Sequence, residues 1–390
     1  MSEAIVLCRF GELFLKLGNR GRFEQKLASN VRAALADLPQ ARVETPYGRV
    51  LVRIPNADLE AACRRVERVF GLVSLSPGKA VAADLPTLEA EAVEAARQAL
   101  ARDPSKARSF RIEARRSDKR FPHTSQQIAI VLGAAVNQAT GVPVDLSDPA
   151  LVIGVEVATN TAYLFAETRP APGGLPVGTS GHGLLLLSGG IDSPAAAWLA
   201  AKRGVSLDAV YFHSPPFVGE KSKDKVLTLA RTLRGWQVLG SLFVVNFTEA
   251  QKRLRENGPA EMAVVLYRRM MMRVADALAD RISATTLVTG ESVGQVASQT
   301  LLNLHTIESA ARHLVLRPLA TYDKNDTIAL ARRIGTFDVS VLPYEDCCSL
   351  FVPPHPTTGA RPADAERAEA GLDLVAMAEE LAETAERIRL

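Results

Sequence analysis

Residues Ser188-Gly189-Gly190-Ile191-Asp192-Ser193 place two glycines, two hydroxyls and a carboxylate in six positions, after the apolar run Leu184–Leu187 and before Pro194. Glycines let backbone N–H groups approach an anion, the serine hydroxyls add donors, and a helix starting near Pro194 points its positive end at the same spot. The composition suits phosphate oxygens. A carboxylate beside phosphates is unfavourable unless a cation intervenes, so Asp192 is the candidate partner for Mg²⁺. The spacing lacks a Gly-Lys-Ser/Thr ending, so transfer of a terminal phosphate is not what it suggests. Without a ligand the same residues are a tight strand-to-helix turn; the buried strand ahead of them favours the functional reading.

Two other groups could carry chemistry. Cys347-Cys348 follows Glu345-Asp346 and precedes Pro353-Pro354, which puts the pair in a loop, where catalytic groups concentrate. A nucleophilic thiolate needs a lowered pKa, and two neighbouring carboxylates push it the other way unless a basic group or a bound partner offsets them. Adjacent Cα atoms lie about 3.8 Å apart, below the usual disulfide range, so a bond between the two would be strained. Cys8, in a predicted strand, and Cys63, on a helix face, read as buried small hydrophobes. The third group is basic: Lys106, Arg108, Arg111, Arg115, Arg116, Lys119 and Arg120 interleave with Phe110 and Phe121. A charge run is usually a solvated face, but this composition also suits RNA phosphates with limited base reading. Arg9, Lys16, Arg20 and Arg22 could extend such a surface.

The elements that must position these groups follow from periodicity. Residues 4–10 read as a strand, 22–38 as a helix, 49–54 as a strand and 57–69 as a short helix. After Pro77-Gly78 a new unit is expected: helix 87–102, basic strand 108–115, helix 124–139, and strands near 151–157 and 161–166. Residues 170–183 hold three prolines and five glycines, the clearest linker in the chain. Beyond it, strand 184–187, helix 194–203, strand 208–213, helix 220–234, strand 241–247, helix 260–279, strand 285–289 and helix 324–334 alternate, which implies a doubly wound parallel sheet. Residues 361–390, rich in Ala and Glu, read as an exposed terminal helix.

With 390 residues the chain exceeds the size at which one core stops growing, so two or three domains are expected. No apolar run approaches the roughly 20 residues of a membrane span, and the N-terminus lacks a basic region ahead of a long apolar stretch, so the protein is expected in the cytoplasm without membrane contact. Four cysteines with no C-x-x-C pair argue against a disulfide framework, structural zinc or an iron-sulfur cluster. Net charge is only +3, but residues 1–180 carry 23 basic and 19 acidic side chains, and 102–120 alone carries eight against three. The positive charge therefore belongs to the N-terminal half.

The Ser188–Ser193 turn resembles the PP-loop of ATP pyrophosphatases, which cleave ATP between the α and β phosphates and adenylate an oxygen. Arg9-Phe-Gly-Glu-Leu-Phe-Leu-Lys16 with Asn19-Arg20, Arg115-Arg-Ser-Asp-Lys-Arg-Phe-Pro122, Val144-Asp-Leu146, Gly290-Glu-Ser-Val-Gly-Gln-Val-Ala-Ser-Gln299, Arg317-Pro-Leu319 with Asp323-Lys324, and Tyr344-Glu-Asp-Cys-Cys348 together resemble the tRNA 4-thiouridine synthetases, or tRNA sulfurtransferases, over nearly the whole chain. The resemblance implies an α/β protein with a ferredoxin-like domain (1–76), a THUMP RNA-binding domain (77–168), a linker (169–183) and a PP-loop catalytic domain with a C-terminal helix (184–390). It implies ATP-dependent exchange of oxygen for sulfur at uridine 8 of tRNA, with sulfur delivered as a persulfide, and in some members sulfur transfer toward the thiazole of thiamine. The chain ends about where longer members begin a rhodanese domain, so a short form is expected, fed by a separate cysteine desulfurase. A homodimer and a monomer are both left open.

Carried over by motif position, the family's nucleotide contacts fall on Leu186, Leu187, Ser188, Gly189, Gly190, Asp192, Ser193, Tyr211, Phe212, Arg268, Gly290 and Gln299. Strand ends of a parallel sheet meet at the ligand crevice, Gly290 allows close backbone approach, and Arg268 can neutralise phosphate. For the side chains of Leu186, Leu187 and Phe212 plain core is the preferred reading. The resemblance alone promotes Lys324 to a catalytic candidate, and it puts the catalytic cysteine at Cys347 with Cys348 assisting or receiving the persulfide. Two other functions compete: a PP-loop synthetase or amidotransferase acting on a small molecule, which would not need the N-terminal arm, and an RNA-binding sulfur carrier without ATP chemistry, which the intact loop opposes.

Overall fold

A computed structural model describes residues 3–15, 18–46, 48–344 and 353–390, in two compact units, Met1–Gly174 and Leu175–Leu390. The first unit contains β1 (Glu3–Phe10), α1 (Arg20–Ala34), β2 (Arg42–Glu44), β3 (Val50–Pro55), α2 (Leu59–Val66), β4 (Leu72–Ala82), α3 (Leu85–Arg102), β5 (Phe110–Arg116), α4 (Ser125–Thr140), β6 (Leu151–Val157), β7 (Thr161–Phe165) and β8 (Arg169–Pro170). All eight strands form one sheet, ordered β2-β3-β1-β4-β7-β6-β5 with β8 also on β4. α3 and α4 bury Leu88, Ala92, Ile128, Leu132 and Val136 against Phe110, Ile153 and Val155 of the sheet.

The unit boundary expected after Pro77-Gly78 falls within a strand. β4 runs through it, pairing antiparallel with β1 from Leu72 to Gly78 and with β7 from Gly78 to Ala82. Gly78 is needed for strand packing rather than for a turn: a Cβ there would lie 2.1 Å from the Leu164 carbonyl oxygen. Cys8 and Cys63 are buried, and desolvation pushes both thiols up, Cys63 to about 11.

The second unit contains β9 (His182–Leu186), α5 (Asp192–Lys202), β10 (Ser206–His213), α6 (Glu220–Arg234), β11 (Leu239–Asn246), α7 (Thr248–Asn257), α8 (Ala263–Arg281), β12 (Thr286–Val288), α9 (Leu301–Glu308), β13 (Leu314–Leu316), α10 (Lys324–Ile334), α11 (Phe337–Ser340), α12 (Pro362–Glu369), α13 (Leu374–Glu383) and β14 (Glu386–Arg389). The sheet order is β13-β12-β9-β10-β11-β14. The first five strands are parallel, as the alternation predicts, and β14 is antiparallel to β11. Strand order reverses between β9 and β12, the switch point at which sheets of this kind take ligands.

The terminal segment is not an exposed helix. It is two helices and an edge strand, with Leu374, Met377, Ala378 and Ala382 buried in the core that includes α8. Those residues have helical spacing that the Ala/Glu-rich composition conceals. Glu369 at the end of α12 is buried and accepts from both Arg269 (2.8 Å) and Arg273 (2.7 Å), which fastens the segment down.

Candidate active site

The Ser188–Ser193 turn leaves β9 at the switch point and leads into α5. Ser188 N–H donates to Ser193 Oγ at 2.9 Å, the two hydroxyls lie 3.1 Å apart, and Gly190 N–H donates to Ser188 Oγ at 3.3 Å. The loop is thus pre-shaped by its own hydroxyls. Gly290, just past β12, presses on it: a Cβ there would sit 2.5 Å from Ser193 N and 2.7 Å from the Asp192 carbonyl carbon.

Asp192 and Lys324 are the first residues of α5 and α10, and Lys324 Nζ donates to Asp192 Oδ1 at 2.7 Å while Gln295 Nε2 donates to Oδ2 at 3.0 Å. A lysine at a helix N-terminus opposes the helix dipole. Two helix N-termini and an ammonium around one carboxylate make a place where further negative charge is welcome.

A cavity of about 150 Å³ opens beside the loop, lined by Leu186, Leu187, Ser188, Asp192, Ser193, Tyr211, Phe212, Arg268, Gly290 and Gln299, together with Met271, Met272, Thr289, Glu291 and Ile307. Leu187 and Phe212 are buried, and the Phe212 ring packs edge-on against Phe247 at 5.1 Å. Gln299 is 6% exposed, and its Oε1 is buried without a hydrogen-bond partner among the described residues. An acceptor left unpaired in a cavity is costly unless a ligand donor completes it.

Arg268, the candidate for neutralising phosphate, lines the cavity and donates to Glu291 Oε1 at 2.8 Å. Glu291 also receives Arg317 Nε at 2.7 Å and Thr289 Oγ1 at 3.0 Å on its other oxygen. Burial opposes ionisation of Glu291, but the charges of Arg268 and Arg317 and the bonds from Arg317 and Thr289 outweigh it and hold the carboxyl below its ordinary range. Sequence reasoning missed Glu291, Thr289 and Gln295, although Glu291 and Gln295 lie inside the Gly290–Gln299 motif. Met271, Met272 and Ile307 carried no signal beyond helix-face hydrophobicity.

Cys347 and Cys348, like Lys16, lie outside the described residues. The basic candidates divide. Arg116 spends its guanidinium on the carbonyls of Lys119, Phe121 and His123; Arg120 pairs with Asp118, Arg108 with Asp148, and Arg111 with Glu113 and the Leu146 carbonyl. Arg115 and Lys119 are exposed and make no side-chain hydrogen bond or ion pair among the described residues, and Lys106 is half-buried.

A parallel sheet with its order reversed at β9, and a Ser-Gly-Gly-x-Asp-Ser loop at that reversal, defines the PP-loop class of nucleotide-binding domains. Family models place the same chain more narrowly: the thiamine biosynthesis protein (ThiI) model matches residues 178–374, its ferredoxin-like domain 5–76, and the THUMP domain 82–167. A Moorella thermoacetica protein named "Probable tRNA sulfurtransferase" is 47% identical, covering 98% of this chain and 96% of its own; one of the same name from Brevibacillus brevis is 42% identical, covering 97% and 94%. A 4-thiouridine synthetase solved in complex with RNA and bound ATP is 34% identical, covers 99% of both chains and superposes with a TM-score of 0.91. The chain belongs to the tRNA sulfurtransferase family. Among the described residues no helix is long and apolar enough to cross a membrane.

Proposed function

We propose that this protein is an ATP-dependent tRNA sulfurtransferase that converts uridine 8 of tRNA to 4-thiouridine. The observation that carries the reading is the self-braced Ser188–Ser193 loop at the switch point, with Gly290 packed on it and the unpaired Gln299 Oε1 in the adjoining cavity. Phe212, Met271, Met272 and Ile307 supply apolar walls for a base, and Gln299 Oε1 accepts an amino N–H from it. The loop N–H groups and the N-terminus of α5 receive the phosphates.

In the first step uridine O4 attacks the α-phosphorus, and the bond to the β-phosphate breaks with release of pyrophosphate. In the second, the terminal sulfur of a protein persulfide attacks C4, the C4–O bond breaks, and AMP leaves. A thiol then cleaves the remaining S–S bond, and an external reductant restores the cysteine pair. Cys347 is assigned the catalytic thiol and Cys348 the relay by motif position, and a cysteine desulfurase is the sulfur source.

Asp192 would hold Mg²⁺. A single carboxylate fits an ion that takes most of its ligands from water and substrate phosphates, and when bound with the nucleotide the ion would offset phosphate charge. Lys324 orients Asp192 and faces the same region of negative charge. Arg115, Lys119 and Lys106 contribute to tRNA binding, and the protein works in the cytoplasm as a monomer or homodimer. The matched family model is described as a thiamine biosynthesis protein, which supports extending the proposal to sulfur transfer toward the thiamine thiazole.

Incubation with ATP, Mg²⁺, a desulfurase with cysteine and unmodified tRNA should yield 4-thiouridine and tRNA-dependent pyrophosphate. Cys347→Ser should release pyrophosphate without thiolating. Absence of both products from the wild-type protein would sink the reading.

A further inference from the structure

In the chain, Cys347 and Cys348 lie between Ser340 and Thr357, and buried polar side chains fasten both flanks to the segments that border the cavity. On the N-terminal flank Ser340, the last residue of α11, donates through Oγ to the carbonyl of Gly190 at 3.2 Å. Two residues on, the Leu342 carbonyl accepts from Lys225 Nζ at 2.8 Å. On the C-terminal flank Asn303, fully buried in α9, donates through Nδ2 to the carbonyls of Ala297 and Thr357, both at 2.8 Å, and accepts the Ala360 N–H at Oδ1 (2.9 Å).

One flank is therefore tied to the phosphate loop and the other to the turn that carries Gln299. Thr300 and Thr306 already fasten the C-terminal flank, through the carbonyls of Thr358 and Ala360 at 2.7 Å each. What Asn303 adds is a bridge: one amide fixes residue 357 relative to residue 297. Buried polar groups must be paired, and a single asparagine pairs three backbone groups that no aliphatic residue of similar size could satisfy.

We propose that Asn303 and Ser340 are positioning residues for sulfur transfer, which set the register of the two flanks of the cysteine segment against the nucleotide cavity. The inference rests on the functional reading above, because that reading puts the reactive thiol at Cys347. Neither residue lines the cavity. The walls they grip keep their own bonds without them: Gln299 N–H to the Val296 carbonyl (2.8 Å), Gly294 N–H to the Gln299 carbonyl (2.9 Å), and Ser188 N–H to Ser193 Oγ. Adenylation should survive their loss and thiolation should not.

The test compares Ser340→Ala and Asn303→Ala in the full chain, with ATP, Mg²⁺, tRNA and a desulfurase with cysteine, and measures pyrophosphate and 4-thiouridine in the same reaction. Pyrophosphate release and the KM for ATP should stay within about threefold of wild type. The ratio of 4-thiouridine to pyrophosphate should fall at least about tenfold, since a misplacement near 1 Å can cost ~100-fold in rate. Excess inorganic sulfide, which needs no positioned protein thiol, should restore the ratio. An unchanged ratio in both variants, or parallel loss of both products without rescue by sulfide, overturns the proposal. If Asn303→Ala fails to fold, Ser340→Ala, which removes one oxygen from a helix end, decides alone. A wild-type protein that makes neither product defeats the functional reading itself; a wild type that works beside variants that match it defeats only the positioning roles.

Discussion

Lys324 Nζ stands 2.7 Å from Asp192 Oδ1 across 132 positions of chain, joining the first residues of two helices. The pair is partly exposed, with 42% and 22% of the side chains accessible, so its worth to stability is at most about 1 kcal/mol. Its value lies in where it sits, beside the phosphate loop. Asp192→Ala should lower tRNA-dependent pyrophosphate release by at least ~100-fold, the scale of losing a preorganised electrostatic group, with an unchanged melting temperature. Pyrophosphate release at the wild-type rate would refute the assignment.

Gly290→Ala tests the packing of that loop. The new methyl would meet backbone atoms of Asp192 and Ser193, which cannot rotate away, so the loop itself must move. Overpacking of this kind costs about 1–3 kcal/mol. The expected result is a lower melting temperature together with weaker ATP binding, read by thermal unfolding and nucleotide titration. Wild-type ATP affinity in this variant would show that the loop does not hold phosphate in the geometry described.

The buried Glu291 cluster makes stability depend on acid. Its carboxyl is held below its ordinary value in the folded protein, so the unfolded chain takes up a proton first as the pH falls. The stabilisation is present above the unfolded-state pKa of about 4.3 and is lost as pH drops through the lower, folded-state value. Urea unfolding of wild type and Glu291→Gln should therefore differ most at pH 7, and the gap should narrow as the pH falls below the unfolded-state value of about 4.3. Breaking a buried pair from one side typically costs about 3–5 kcal/mol, and a gap that stays constant as the pH falls would exclude the linkage.

Charge reversal at Arg115 and Lys119 should weaken tRNA binding and flatten its dependence on salt by about one unit of log–log slope for each phosphate no longer neutralised. Arg116→Ala should act differently, because its guanidinium braces the carbonyls of Lys119, Phe121 and His123. It should lower thermal stability and leave the salt slope near wild type. Should the double reversal keep the wild-type slope, that basic stretch is only a solvated face.

Much of the architecture was legible because it is local. Helices 220–234 and 324–334 fall where apolar spacing and turn glycines put them, and Leu184–Leu187 reads as a strand buried on both faces. What escaped is set by distant partners. Pro77-Gly78 looks like a breaker until Leu164 is brought against Gly78, and the Ala/Glu-rich tail looks solvated until α8 covers it. The same holds at the site. Motif spacing locates the Ser188–Ser193 turn, but nothing in sequence says that Arg268 and Arg317 converge on Glu291, or that Gln295 and Lys324 divide the oxygens of Asp192.

β4 also bears on how the N-terminal unit can be divided. Its first residues complete the sheet around β1 and its last residues complete the sheet around β7, so the two halves share a rib rather than meeting at a joint. A cut near residue 77 gives each fragment half a strand and an open row of amide and carbonyl groups, an invitation to aggregate. Grafting of this N-terminal unit onto another enzyme would therefore have to move residues 1–174 as one cassette.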